Sequence, residues 1–452
     1  MSEQSSVSAR ASFANLNDPV GDVLVKAATH LDHGRLQEAA EELNRVRYAG
    51  ANDLRLHLLG TRLAEVAGNA QMAEVSAKRA LAISPDNVTA RIDWAVCLLR
   101  NGDTAAAAEI ATSVFNDPRS RQSYSVLERV ATVANNVGNL DLAAECLAAA
   151  HKTWPSDNRV ALAIAENFRA RGMNDQALPF CDLVISRSPN LEDALAIRAS
   201  LRRQSNDLAG AAQDYAQLVK LQPDNSTYQY LLALSSGNAP ETQPTDMITS
   251  IFDSYADRFD AHLLTSLGYR APEWAARHIS QFSPKRNAAI LDLGCGTGLL
   301  GFCLGRWNTP LVGVDLSLPM MQRAERWNIY GRFHQADLND VLRDTEAAQF
   351  DVIAALDVFI YVGRLESPMS HIARVLRPGG IALFTFEETT ESEGHFAARA
   401  SARYAMSEAY VRETLEGVGL EITELKRDRI RTEGGNDLAG LFVVAKRNRL
   451  DA

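Results

Sequence analysis

Asp292, Gly294, Gly296 and Gly298 carry the chain's clearest chemical signal. They fall in Ile290-Leu291-Asp292-Leu293-Gly294-Cys295-Gly296-Thr297-Gly298, which reads as a buried strand running into a tight loop. The glycines let the backbone approach a ligand closely. Gly296-Thr-Gly298-Leu-Leu-Gly301 also satisfies G-x-G-x-x-G, the dinucleotide fingerprint, a weak signal taken alone. Asp292 argues against a pyrophosphate. A carboxylate inside the strand just before the loop repels phosphate and suits a ligand that carries an ammonium or a sulfonium group. Asp315 ends a second strand, where its carboxylate can accept from both hydroxyls of a ribose. Asp337 follows a third strand, beside the amide of Leu338.

These residues need a scaffold, and strand–loop–helix alternation from Ala288 supplies one. Strands are expected over 288–293, 311–315, 333–337, 351–356, 381–386, 421–426 and 441–445, with helices over 299–306 and 408–418. Leu376-Arg377-Pro378-Gly379-Gly380 reads as the turn before the fifth strand. The pattern predicts a seven-stranded, doubly wound α/β sheet of Rossmann-like kind. Its ligand lies at the carboxyl ends of the strands.

With this loop, these acids and the L-R-P-G-G turn, the second half resembles the class I S-adenosylmethionine-dependent methyltransferases. The resemblance implies S-adenosylmethionine as cofactor. Gly294, Gly296 and Gly298 then face its methionine part, and Asp292 its amino group. Asp315 takes the ribose, Leu316 and Met320 pack on the adenine, and Asp337 with Leu338 reads the adenine edge. The alternative role of Asp315 and Asp337 is to cap a helix or turn. Phe252-Asp-Ser-Tyr255-Ala-Asp-Arg-Phe259-Asp260 resembles the aromatic lid of small-molecule methyltransferases, with Tyr255 and Phe259 against the sulfonium. Its alternative is an amphipathic helix, since Ile251, Tyr255 and Phe259 recur every four residues.

Acceptor chemistry in this fold sits after the fourth strand, here Ala355-Leu356-Asp357-Val358-Phe359-Ile360-Tyr361-Val362. The D/N/S-P-P-Y/F/W motif of amino methyltransferases is absent from the sequence, as is a Pro-Cys nucleophile. Asp357 and Tyr361 are the candidate catalytic residues, Asp357 as wall or base and Tyr361 as wall, with a core aromatic as the alternative for Tyr361. Alignment of acceptor, methyl and sulfur carries much of the rate in an in-line displacement. A dedicated base is then optional. His262, His334 and His395 qualify as bases by residue type only.

The first half is periodic. Gly34, Gly68, Gly102, Gly138 and Gly172 are spaced by 34, 34, 36 and 34 residues, and Asn206 continues the series. Alanine follows each five residues later, at Ala39, Ala73, Ala107, Ala143, Ala177 and Ala211. Proline recurs at Pro85, Pro118, Pro155, Pro189 and Pro223. That punctuation marks tetratricopeptide (TPR) repeats, helical hairpins that must stack to bury their apolar faces. The expected organisation is a disordered amino terminus (1–18), about six repeats and a capping helix (19–235), a linker (236–246) and the methyltransferase domain (247–452). The whole resembles the bacterial TPR-repeat methyltransferases over about residues 20–450. Two later stretches add to the likeness, Arg403-Tyr404-Ala405 and Ile430-Arg431-Thr432-Glu433-Gly434-Gly435. The family carries His after the first triplet, where this chain has Met406.

Composition narrows the function further. The net charge of −10 and the lack of a long basic run disfavour nucleic acid as a partner. No apolar run reaches the roughly 20 residues of a membrane span. The five cysteines form no CxxC pair, and His30 and His33 have no further ligands in view, so no metal is expected. These features point to a soluble cytoplasmic enzyme. The leading expectation is methyl transfer to oxygen or nitrogen of a small molecule, glycan or carrier-bound metabolite, with a peptide or protein in the TPR groove. The alternatives are a protein methyltransferase whose repeats recruit the substrate, and a non-catalytic TPR scaffold. A repeat stack that only orders an oligomer or steadies the second domain is the plainer role for the first half.

Overall fold

The glycine rhythm of the first half becomes a set of helical hairpins. A computed structural model describes residues 18–238, 240–255, 268–390, 394–399, 401–433 and 436–448. The chain divides into two units between Ile197 and Arg198. The first is all-helical, from Pro19–Asp32 through Asn174–Arg187 and into Glu192–Gln204. Gly34, Gly68, Gly102, Gly138 and Gly172 all sit at positive φ, 69° to 85°, where a helix ends and the chain reverses. Asn69, Asp103 and Asn139 then cap the following helix by accepting from the amides of Met72, Ala106 and Leu142 at 3.0, 3.1 and 3.1 Å. Each such cap stabilises a helix by about 1 kcal/mol. Ala39, Ala73, Ala107, Ala143 and Ala177 are fully buried, so paired helices meet with only a methyl between them. The 36-residue spacing between Gly102 and Gly138 has a local cause: a 3-10 turn, Pro118–Gln122, is inserted there.

The second unit opens with one more hairpin, Leu208–Leu221 and Ser226–Ser235. Asn206 turns into it at φ 61°, and Asp214 is buried against Arg198 and Arg202 at 2.6 and 2.8 Å. Helices Thr245–Tyr255 and Ala271–Phe282 lead into the sheet. Its strands are β1 (Ile290–Leu293), β2 (Leu311–Asp315), β3 (Tyr330–Gln335), β4 (Phe350–Ala355), β5 (Leu376–Glu388), β6 (Phe396–Ala398), β7 (Tyr404–Met406), β8 (Leu420–Glu433) and β9 (Asn436–Arg447). The order is β3-β2-β1-β4-β5-β7-β6, with β9 antiparallel on β5 and β8 antiparallel on β9. Strands β1, β2, β3, β4 and β5 run parallel. Their centre is buried on both faces, which is why β1 reads as an unbroken run rather than an alternation.

Among the described residues, nine strands therefore replace the expected seven. The additions, β6 and β7, are three residues each, too short to show a period of two. The third strand starts earlier than expected, because a half-exposed edge strand gives weak patterning. Leu376-Arg377-Pro378-Gly379-Gly380 is the irregular start of β5 rather than a separate turn, with a register shift opposite Phe350 and Val352. Among the described residues no helix is long and apolar enough to cross a membrane.

Residues 240–245 form a strap over the second unit. Tyr404 donates its hydroxyl to the Pro240 carbonyl at 2.7 Å, and the Arg364 amide donates to Glu241 at 3.1 Å. The Gln243 amide donates to Tyr361 at 3.1 Å. Gly363 makes this approach possible: at φ 74°, a Cβ there would sit 2.0 Å from the Glu241 carbonyl oxygen. Gly363→Ala should therefore destabilise the second unit by about 2 kcal/mol or more, from the left-handed φ and the collision together. The measurement is the urea midpoint of the intact protein. An unchanged midpoint would show that the strap does not rest on Gly363.

Candidate active site

The carboxyl ends of β2, β1 and β4 lie side by side, and each carries an acid: Asp315, Asp292 and Asp357. The sheet changes direction between β1 and β4, the place where open α/β sheets form their crevice. A cavity of about 480 Å³ opens there, with all three acids on its wall. Its apolar lining includes Ile248, Phe252, Leu299, Leu316, Leu356 and Val358.

Asp292 is buried and accepts a hydrogen bond from the Tyr330 hydroxyl at 2.6 Å. Burial pushes its carboxyl up to about 7; the Tyr330 bond opposes the shift and the nearby Asp315 adds to it. Asp315 accepts from the Gly296 amide at 2.8 Å on one oxygen and from the Ser317 amide at 2.9 Å on the other. Burial raises its carboxyl as well, against those amide bonds. Each oxygen still has lone-pair capacity for a ligand hydroxyl. The loop needs its glycines: a Cβ on Gly294 would stand 2.4 Å from Val358 Cγ2, and one on Gly298 2.8 Å from Ala324 Cβ. Gly294 and Gly296 line the cavity, whereas Gly298 packs behind it on Ala324.

Asp337 and Leu338 also line the cavity, and Asp337 at the same time caps helix Leu338–Asp344 through the Asn339 amide at 2.8 Å. Leu316 is on the wall; Met320 is fully buried and is not among the lining residues. Tyr255 ends helix Thr245–Tyr255, but its side chain and all of Phe259 lie outside the described residues, as does His262. His334 and His395 are not among the lining residues.

The far end of the cavity is built on Asp357, which takes φ 61° although it is not a glycine. That conformation costs roughly 1–2 kcal/mol. The Asp357 amide donates to Thr385 Oγ1 at 2.7 Å, and its Oδ2 accepts from Arg431 Nη1 at 2.6 Å. The other oxygen, Oδ1, is buried and has no hydrogen-bond partner among the described residues. Arg431, with 3% of its side chain exposed, also pairs with Glu387, which is 1% exposed. Arg399 and Arg403 reach the same Glu387 carboxylate at 3.2 Å each. Tyr361 lines the cavity with its ring edge-on to Phe252, centroids 5.5 Å apart. Burial pushes its phenol up to about 12, so it stays a neutral wall and hydrogen-bond donor.

Sequence reasoning missed Gln243, Phe252 as a wall, Thr385 and Glu387. It singled out the stretches that hold Arg403 and Arg431 without giving those arginines a role. Their function depends on Glu387 and Asp357, 16 to 74 residues away in the chain.

Comparison with known proteins finds likenesses in the second unit. The family described as methyltransferase domain matches residues 290–380, from β1 into β5. Malonyl-acyl-carrier protein O-methyltransferase of Salmonella typhimurium is 33% identical over 98 residues, 22% of this chain and 38% of that enzyme. The enzyme of the same name from Halalkalibacterium halodurans is 29% identical over 188 residues, 36% of this chain and 69% of the relative. Magnesium protoporphyrin IX methyltransferase of Synechocystis, solved with bound S-adenosylmethionine, covers 45% of this chain and 97% of its own at 16% identity and TM-score 0.35. The match to the Salmonella enzyme spans less than half of that protein. Residues 290–380 of the second unit thus match a methyltransferase domain, an enzyme domain.

The raised carboxyl of Asp292 has a measurable consequence. Its folded value of about 7 lies above the ordinary 3.8, so between these pH values the folded chain holds a proton that the unfolded chain has lost. Its contribution to stability is thus present at low pH and is lost as pH rises through about 7. Urea midpoints of wild type and Asp292→Asn, followed from pH 5 to pH 8, should diverge, the wild type falling relative to the variant. Parallel curves would contradict the assignment.

Proposed function

We propose that the protein transfers a methyl group from S-adenosylmethionine to an oxygen or nitrogen acceptor on a small molecule, glycan or carrier-bound metabolite. The observation that carries this reading is the single cavity that joins the glycine loop and its two acids to the Asp357 end. The site fits the cofactor on its own terms, since a Cβ on Gly294 would fill the cradle and the acids suit a cationic, ribose-bearing ligand. Asp292, Gly294 and Gly296 would hold the methionine part, with Gly298 shaping the loop. Asp315 would hold the ribose, Leu316 the adenine face, and Asp337 with the Leu338 amide its edge. Met320 would support Leu316 from the core. Bound cofactor supplies an electrophilic methyl group on a sulfonium. Asp357 and Tyr361 would align the acceptor against it, and Phe252 with Ile248 would exclude water.

Support for a small or carrier-bound acceptor comes from the absence of an amino-methyltransferase motif in the sequence and from the O-methyltransferase names of the relatives. The helical hairpins are read as TPR repeats because left-handed turns, caps and buried alanines recur at the period of that fold. They would bind a peptide or protein, and the chain would act as a bacterial TPR-repeat methyltransferase in the cytoplasm.

Calorimetric titration of the intact protein with S-adenosylhomocysteine tests the donor site. Binding is expected, weakened roughly ten- to a hundredfold in Asp315→Ala as one charge-assisted hydrogen-bonding group is lost. Absence of binding by the wild type, or equal binding by the variant, would contradict the site. Incubating the intact protein with a bacterial extract and methyl-labelled cofactor tests the acceptor. Label is expected in small molecules or carrier-bound groups. Label confined to protein side chains would favour the protein-methyltransferase alternative, and S-adenosylhomocysteine binding without any labelling would favour a scaffold.

A further inference from the structure

We infer that the methyl acceptor bears a hydroxyl group on an apolar body, and that Gln243 on the strap selects it together with Asp357. The inference rests on the methyltransferase reading above. Its ground is a pair of buried oxygens that have no hydrogen-bond partner among the described residues, Oδ1 of Asp357 and Oε1 of Gln243. Both residues line the same cavity. Buried polar atoms are normally satisfied, so two orphaned acceptors in residues that line one cavity point to a ligand that donates.

Neither oxygen is orphaned by looseness. Asp357 is fixed by Thr385 and Arg431, as described. Gln243 is 5% exposed, its backbone amide is held by Tyr361, and its Nε2 donates to the Ala402 carbonyl. That last bond settles the orientation of the amide group. Only the nitrogen end can face a carbonyl oxygen, so Oε1 is the end left without a partner among the described residues. Ala402 itself takes φ 65°, and its carbonyl also lies 3.1 Å from the Tyr230 hydroxyl. The strap is thus anchored by several groups around one glutamine.

The rest of the wall narrows the ligand. Arg403 and Arg431 line the cavity, but Glu387 and Asp357 engage them both. A carboxylate acceptor would set further lone pairs against the two orphaned oxygens. Phe252, Leu356, Val358 and Tyr361 add apolar surface to the same cavity. A neutral hydroxyl compound satisfies both demands. In the transfer, the hydroxyl oxygen forms the new bond to the methyl carbon while the carbon–sulfur bond breaks and leaves its electron pair on sulfur. The hydroxyl proton passes to the Asp357 carboxylate and then to water. No other reactant is needed.

The test uses intact protein saturated with S-adenosylhomocysteine and follows probe binding by ligand-observed NMR. The probes are catechol, its donor-free dimethyl ether, benzoate and benzylamine. Catechol should bind at least about tenfold more tightly than each of the others, the scale of one or two lost hydrogen bonds. Gln243→Ala should weaken catechol by about tenfold and leave S-adenosylhomocysteine binding within about twofold of wild type. If the alanine variant does not hold S-adenosylhomocysteine, Gln243→Met, which keeps the side-chain length, replaces it. Equal binding of the dimethyl ether, preference for benzoate or benzylamine, no binding of catechol, or an unchanged catechol affinity in the variant would each overturn the inference. Failure of wild type to bind S-adenosylhomocysteine would instead overturn the methyltransferase reading beneath it.

Discussion

Three carboxylates stand at the ends of three adjacent parallel strands, and the surrounding structure is arranged to keep them there. Burial penalises the charges of Asp292 and Asp315, and Asp315 adds repulsion at Asp292. Each acid has a different remedy. Asp292 takes the Tyr330 hydroxyl, Asp315 takes two backbone amides, and Asp357 takes a guanidinium. The remedies differ because the local backbone differs. The Gly296 amide can reach Asp315 only because the loop turns on residues with positive φ. Tyr330 is available to Asp292 because β3 starts beside the helix that follows the glycine loop, close enough for Gly301 to donate to the same hydroxyl at 3.3 Å.

The third acid draws in the most distant parts of the unit. Arg431 lies on β8, which pairs with β9, and β9 in turn pairs with β5. That antiparallel addition brings a buried guanidinium back to the parallel core. Glu387, near the end of β5, then gathers Arg399, Arg403 and Arg431 around one carboxylate. A buried ion network of this kind is a poor source of stability in itself. Here it fixes the position of Asp357, whose left-handed backbone would otherwise relax. The short strand β7 places Arg403 in that network and Tyr404 under the strap, so a three-residue element serves both the site and its closure.

What could be read from the sequence follows the range of the interactions. The hairpin rhythm was legible because a left-handed turn, a cap and a buried alanine all lie within a few residues of each other. The glycine loop and Asp292 were legible for the same reason. The seven-stranded expectation failed at β6 and β7, where short strands carry no periodic signal. Gln243 and Glu387 left no local trace, since a glutamine in a polar connection and a glutamate in a strand look ordinary until the Ala402 carbonyl and three arginines are brought to them. Asp337 shows a different limit. Its position suits both a cavity wall and a helix cap, and the structure has it doing both.

A crystal structure of the intact chain with S-adenosylhomocysteine addresses the central claim most directly. The row of acids should receive it: ribose hydroxyls within hydrogen-bonding distance of Asp315, the amino group towards Asp292, and the sulfur facing the wall made by Asp357 and Gln243. A ligand bound outside this cavity, or one whose ribose leaves Asp315 joined only to the Gly296 and Ser317 amides, would contradict the account.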